Sequence, residues 1–259
     1  MTKPRILITN DDGIFSPGIR HLWSAIKDTA EVIIVAPLNE QSATSLSITL
    51  RSPLRIEKIE WPDCDATSWA VSGTPSDCVK LALSVILKEP PHLILSGINK
   101  GTNAGRNVLY SGTIAGVIEG ILHDIPGIAF SQENLINPCF EEIKKYIPQI
   151  VNYALKHPLP SGTLLNVNFP GQQLKKVKGI RMANQGKEYL IENPECRSFP
   201  EGKNYYWLGT KLAQFIEDEN SDVTWLRKGY ASVVPIHVSQ LTDQRHIDSH
   251  KHIFEEFIN

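Results

Sequence analysis

A chain of 259 residues with 41% hydrophobic and 21% charged residues can build a sizeable core, which excludes a disordered polypeptide. Its formal net charge of -2 gives no sign of the basic footprint of a nucleic-acid binder, and no nucleic-acid polymer is expected as partner, but small anions stay open as ligands, since these need only a local positive field. No stretch of about 18 apolar residues occurs and no signal peptide's apolar segment precedes the first strand, so a soluble, cytoplasmic protein is expected, with no membrane partner. The four cysteines, Cys64, Cys78, Cys139 and Cys196, stand far apart without a C-x-x-C pair, which argues against a zinc knuckle or a thioredoxin-type redox site.

In chain order, Arg5 to Thr9 is a short apolar run ending in Asn10-Asp11-Asp12-Gly13, the pattern of a buried parallel strand that delivers its carboxyl end into a polar turn. Pro17 opens an amphipathic stretch with Ile19, Leu22, Trp23 and Ile26 at helical spacing, because proline is tolerated in a helix's first turn. Glu31 to Ala36 is the second strand, which completes a β-α-β unit. Leu46 to Ile59 alternates apolar and polar residues around Ser52-Pro53 and predicts an antiparallel hairpin or edge excursion. Thr74-Pro75 predicts an N-cap and first helical position for a helix running to about Lys88.

His92 to Ser96 predicts another buried strand, and Gly97 to Gly112 a glycine-rich loop. A helix from about Thr113 to Leu122, a strand near Gly127 to Ser131 and an amphipathic helix from Phe140 to Leu155, bent at Pro148, come next. Thr163 to Asn168 reads as one more strand. This alternation predicts an α/β fold with a mainly parallel sheet and helices on both faces. After about Pro170 the texture changes to short β-like runs at Gly179 to Met182, Tyr205 to Gly209 and Ala231 to Val238. A terminal amphipathic helix carries Ile253, Phe254, Phe257 and Ile258. The division expected is a catalytic domain over residues 1–170 and a β-rich C-terminal extension over 171–259, packed on the main domain or on a second subunit.

Ligands of open parallel sheets sit outside the strands' carboxyl ends, where strand order reverses. That rule selects the turn with Asp11 and Asp12, the loop from Pro37 to Ser45, and the loop from Ser96 to Thr113 with Asn99, Asn103 and Asn107. All three are rich in hard oxygen donors and contain no cysteine or histidine. Adjacent carboxylates at a buried strand end repel each other unless a cation offsets the cost, and carboxylate, amide and hydroxyl oxygens suit magnesium or manganese. Asp11 as a mere turn cap is the alternative.

Ser111-Gly112-Thr113 precedes an apolar helix whose free amides and partial positive charge suit a phosphate; an ordinary N-cap is the competing reading. Metal and phosphate-binding helix together suggest phosphoryl transfer to water. No P-loop and no G-x-G-x-x-G follows the first strand, and Asp11-Asp12 is not the Asp-x-Asp of a phospho-aspartate phosphatase. His246, His250 and His252 lie in a polar tail and read as a solvated surface cluster.

Ile8-Thr9-Asn10-Asp11-Asp12-Gly13 with Ser16-Pro17-Gly18 resembles the opening of the SurE survival proteins, which are 5'/3'-nucleotidases. The resemblance continues through Gln41-Ser42, Ser72-Gly73-Thr74-Pro75-Ser76-Asp77, Ser96-Gly97-Ile98-Asn99-Lys100-Gly101 and Tyr110-Ser111-Gly112-Thr113. It extends to Asn166-Val167-Asn168-Phe169-Pro170 and Gly229-Tyr230-Ala231-Ser232-Val233. It implies a Rossmann-like three-layer sandwich and hydrolysis of nucleoside monophosphates with one divalent metal ion. The implied metal ligands are Asp11, Asp12, Ser42 and Asn99, with Asp11 and Asp12 catalytic. Asn103, Ser111, Gly112 and Thr113 are implied to bind substrate, and a C-terminal extension exchanged in a homodimer or homotetramer is implied as well. Arg106 departs from the family pattern, in which many members carry an acidic residue after the glycine.

Overall fold

A computed structural model describes residues 3–171, 177–213 and 215–258. Strand β1 (Arg5–Thr9) leads through the Asn10–Ser16 turn into helix α1 (Pro17–Ile26), and β2 (Glu31–Pro37) completes the first β-α-β unit. An antiparallel pair follows, β3 (Ile56–Trp61) and β4 (Cys64–Val71), then helix α2 (Pro75–Leu81) extended by a π-helical turn over Ala82–Ile86. Strand β5 (Leu93–Lys100), a 3-10 turn (Gly105–Tyr110), helix α3 (Gly112–Ile121) and β6 (Gly127–Gln132) carry the chain across the sheet. Helices α4 (Phe140–Lys144) and α5 (Ile147–Lys156) return it to β7 (Thr163–Phe169).

The remainder forms β8 (Ile180–Met182), the short strands β9 (Tyr189–Glu192), β10 (Glu195–Ser198), β11 (Asn204–Trp207) and β12 (Thr210–Ala213), helix α6 (Asp222–Arg227), β13 (Ala231–His237) and helix α7 (Gln244–Ile258). Strands β10 and β11 form one small antiparallel ladder, and β9 pairs with β12 around it in another.

The main sheet has the order β3-β4-β2-β1-β5-β6-β7-β13-β8. Neighbours from β4 through β7 run parallel, whereas β3 and β13 are antiparallel to β4 and β7. Successive residues of β1 face opposite sides. Ile6 and Ile8 enter the core covered by α1, α4 and α5, and Leu7 enters the core beneath α2. With α3 over Ala129 and Leu164, the molecule is a three-layer α/β sandwich. The segment after Phe169 returns to this sheet through β8 and β13 as well as carrying the small ladders.

Four expectations differ in detail. Residues 46–55 are not a strand; the hairpin is β3–β4. Asp77 draws the earlier segment away from a ladder, accepting from the Thr49 amide (2.9 Å) and hydroxyl (2.7 Å), while the Thr74 hydroxyl donates to the Ser47 carbonyl (2.7 Å). The helix expected to reach Lys88 stops at Ile86 before Pro90-Pro91. The helix expected from Phe140 to Leu155 is two helices, because Pro148 has no amide to continue α4 and instead occupies the first turn of α5. The expected glycine loop is shorter too: Gly97 to Lys100 belong to β5, although its ladder with β6 is irregular between Ser96 and Asn99.

Candidate active site

Strand order reverses at β1, whose partners are β2 on one side and β5 on the other. The crevice beyond their carboxyl ends receives the Asp11-Asp12 turn from β1, the loop after β2, Asn99 and Lys100 from β5, and the start of α3. The turn is braced before any ligand is considered. The Asn10 side-chain amide donates to the Gly13 carbonyl (3.0 Å) and to Ser16 Oγ (2.7 Å), and the Ile14 amide donates to the Pro37 carbonyl (2.7 Å).

Asp11 is 5% exposed and accepts a 2.6 Å hydrogen bond from the Thr113 hydroxyl. Burial pushes its carboxyl up to about 6; the Thr113 bond opposes that rise and the neighbouring Asp12 charge adds to it. Burial also raises Asp12, against the Lys100 amide, which donates to Asp12 Oδ2 (3.2 Å), and against the Lys100 ammonium, 3.7 Å from Oδ1. Asp12 Oδ1 and Asn10 Oδ1 are buried without a hydrogen-bond partner. Two adjacent acids with one carboxylate oxygen that makes no hydrogen bond, and only the Lys100 ammonium to offset them, form a site with room for further positive charge.

The loop after β2 reaches the same place through its backbone and Glu40. The Gln41 amide donates to the Asp11 carbonyl (2.7 Å). Glu40 accepts from the Ser42 hydroxyl (2.6 Å) and from Lys100 Nζ (3.1 Å), and these two bonds hold its carboxyl below the usual range. Ala43 and Ser45 take positive φ of 56° and 53°, a conformation retained only where the surroundings impose it. The Ser45 hydroxyl donates to the Leu109 carbonyl (2.8 Å), tying this loop to the 3-10 turn.

Ser111 caps α3, accepting from the Ile114 amide at 3.2 Å. A Cβ on Gly112 would lie 2.8 Å from Asp11 Cβ and 3.2 Å from the Gln41 carbonyl, so only glycine lets the helix start approach both loops. Asn103 is buried behind this start. Its side-chain amide donates to Ser131 Oγ (2.8 Å) and Thr113 Oγ1 (3.4 Å), its backbone amide to Asn168 Oδ1 (2.8 Å), and its carbonyl accepts from the Asn166 side chain (2.9 Å). The Arg106 guanidinium lies 5.8 Å from the centre of the Phe215 ring.

The structure thus brings Asp11, Asp12, Gly112 and Thr113 into one crevice, with Asn103 hydrogen-bonded to Thr113. Ser42 and Asn99 stand at its edge and are connected less directly. Among the described residues neither hydrogen-bonds to an aspartate: Ser42 is engaged with Glu40, and Asn99 Nδ2 with the Gly101 carbonyl (2.9 Å). Sequence reasoning passed over Glu40, Lys100, Ser131 and Asn168. The adjacency of Lys100 to Asn99 was a usable signal, whereas Ser131 becomes visible only once β5 and β6 are paired.

No group of three or more His, Cys, Asp or Glu side chains is placed to hold a metal among the described residues, and His246 and His250 are stacked on the exposed face of α7 with ring centres 4.3 Å apart. Any ion in the crevice would therefore need amide, hydroxyl or water oxygens beside Asp11 and Asp12. Hard oxygen donors and the orphaned Asp12 oxygen fit that requirement.

An α/β sandwich with an acidic, oxygen-lined crevice at its switch point and a helix N-terminus beside it defines the broad class. Comparison with known proteins narrows it. The family described as "Survival protein SurE" matches residues 6–192. A protein of Protochlamydia amoebophila named "5'-nucleotidase SurE" is 56% identical over 259 residues, covering 100% of this chain and 99% of its own length. A Flavobacterium psychrophilum protein of the same name is 43% identical over 91% of this chain and 92% of its own. The crystal structure of a SurE protein from Aquifex aeolicus superposes with a TM-score of 0.83 at 40% identity, covering 97% of this chain and 100% of that one. This chain belongs to the SurE family.

Proposed function

We propose that the protein is a 5'-nucleotidase that hydrolyses nucleoside monophosphates with a divalent cation such as Mg2+ or Mn2+, and that it acts on 3'-monophosphates as well. The names of its full-length relatives support the nucleotidase activity. The observation that carries the metal requirement is the buried Asp11–Asp12 pair with an unsatisfied carboxylate oxygen, pressed against the start of α3.

In this reading Asp11 and Asp12 hold the ion, with Ser42 and Asn99 as the nearest further oxygen donors. When bound, such an ion polarises phosphoryl oxygens and acidifies water. The protein's own groups do the rest. Thr113 fixes Asp11 through its hydroxyl, and the free amides of α3 receive the phosphate's remaining oxygens. Lys100 supplies a fixed positive charge at the rim, braced by Glu40. In the overall reaction, a water oxygen bonds to phosphorus, the P–O ester bond breaks, and the departing oxygen takes a proton to become the nucleoside hydroxyl.

The test is Asp12→Asn assayed for free phosphate from AMP with manganese. Turnover is expected to fall by on the order of a hundredfold or more, with an unchanged circular dichroism spectrum. Near-normal turnover in the folded variant would sink the metal assignment.

We further propose that the chain assembles as a homodimer or homotetramer through its C-terminal arm. Helix α7 has no buried residue, and Phe254, Phe257 and Ile258 are 66%, 86% and 63% exposed, an apolar stripe that a second copy would cover.

A further inference from the structure

Beside the aspartates lies a second concavity of about 520 Å³ that the phosphate chemistry does not use. Asp12 and Lys100 form one end of its lining. The rest is mainly apolar, including Phe15 at the tip of the turn after β1, Leu135 and Ile136 in the loop after β6, and Phe140 at the start of α4. Phe15 is 62% exposed, Leu135 67% and Ile136 86%. Single exposed apolar residues are ordinary, but three gathered around one cleft, next to a polar crevice, are the composition of a ligand pocket.

The placement is also pre-set. Asn10 cross-braces both ends of the short turn that holds Phe15, so the ring is presented by a rigid element. The loop with Leu135 and Ile136 leaves the carboxyl end of β6, one strand beyond the Asn99-Lys100 terminus of β5.

Resting on the phosphomonoesterase reading, we infer that this cleft is the nucleoside subsite, in which the base packs against Phe15 and Ile136. A phosphate seated between Asp12 and α3 has a single ester substituent, and that substituent must leave the crevice along one wall. Asp12 and Lys100 belong both to the crevice and to this cleft, and the lining beyond them is mainly apolar, as a flat, uncharged base following its sugar requires. Aromatic and aliphatic faces hold such a base through its π-face and edges. The competing exit runs past Leu109 and Tyr110, which are 66% and 55% exposed on the 3-10 turn.

The experiment compares kcat/KM for AMP and for ribose 5-phosphate, with manganese, in the wild type and in Phe15→Ala, Ile136→Ala and Tyr110→Ala. All three side chains are exposed, so the variants should fold. Phe15→Ala is expected to lower the AMP value by on the order of tenfold, chiefly through KM, while ribose 5-phosphate changes by less than about twofold. Ile136→Ala should act in the same direction, more weakly. An AMP to ribose 5-phosphate ratio unmoved by both changes, or moved only by Tyr110→Ala, overturns the subsite and leaves the hydrolase reading standing. A wild type that splits neither compound overturns both.

Discussion

Asp222 shows how a carboxylate far from the chemistry can hold the site together. It sits buried at the start of α6, where Oδ2 accepts from the Gly105 amide (2.9 Å) and Oδ1 from the amides of Gly186 and Val223 (both 2.8 Å). It thereby clamps the loop leading to Ser111 onto the C-terminal segment. Burial raises its pKa in spite of those three bonds. The folded protein therefore keeps this proton over a pH window in which the unfolded chain, titrating near 3.8, has lost it. The residue's contribution to stability falls as pH rises from that value through the raised one.

Asp222→Asn should be less stable by roughly 1–3 kcal/mol, because one amide hydrogen would meet a side-chain NH2. Its stability should also change less between pH 4 and pH 7 than the wild type's, as denaturant titration at both pH values would show. Identical slopes would mean that Asp222 does not titrate in this range. None of this was legible in the sequence, since the partners lie 117 and 36 positions away. Asp11 and Asp12 were legible because a strand end and a doubled acid are local patterns. For Ser42 and Asn99 the sequence picked out loops that reach the crevice, but side-chain direction depends on Glu40 and on the irregular β5–β6 ladder.

At the level of single elements, α3 lies close to β1 and β5 because a stripe of glycines, Gly112, Gly116 and Gly120, faces them while Ile114, Val117 and Ile121 pack towards Ala129 and Leu164. A Cβ on Gly116 would come 2.8 Å from Thr9 Cγ2, and one on Gly120 would collide with the side chain of Ile94. The helix start that would receive phosphate is thus set by small residues a turn or more downstream. Gly120→Val should destabilise the fold by about 1–3 kcal/mol through overpacking, measured as a lower denaturation midpoint. Turnover should fall by more than the loss of folded protein explains if α3 is displaced. An unchanged midpoint would indicate that Ile94 can swing away.

Elements with a strong period, β1, α1, β2, α3, β6 and β7, were readable to within a residue or two. Residues 46–55 were not, because their alternation is answered by Asp77 and α2 rather than by a neighbouring strand. The outer ladder of β9 with β12 was equally opaque, since it encloses another hairpin and its pairing is not between sequence neighbours.

At the scale of the whole molecule, the exposed face of α7 is the feature a monomer least explains. Among the described residues no helix is long and apolar enough to cross a membrane, and α7 itself mixes its apolar stripe with Arg245, Lys251 and Glu255. A chain ending at Gln240 should run at a lower oligomeric mass than the full chain in light scattering. Equal masses would remove α7 from the interface. The parallel arrangement of the sheet was readable from alternating strands and helices, whereas the return of β13 to the β7 side was not, because nothing local says which edge a late strand will join.

That return has a consequence for biosynthesis. Strand β13 lies against the full length of β7, pairing Ser232 with Asn168 through His237 with Thr163, and β8 docks only on β13. A nascent chain that has emerged as far as β7 already holds the aspartates, the loops and α3, yet one flank of its sheet is a bare row of amides and carbonyls. Some sixty further residues must be synthesised before that flank is capped. Ribosome-bound intermediates of this length should be the ones most prone to sticking to one another and to recruiting chaperones.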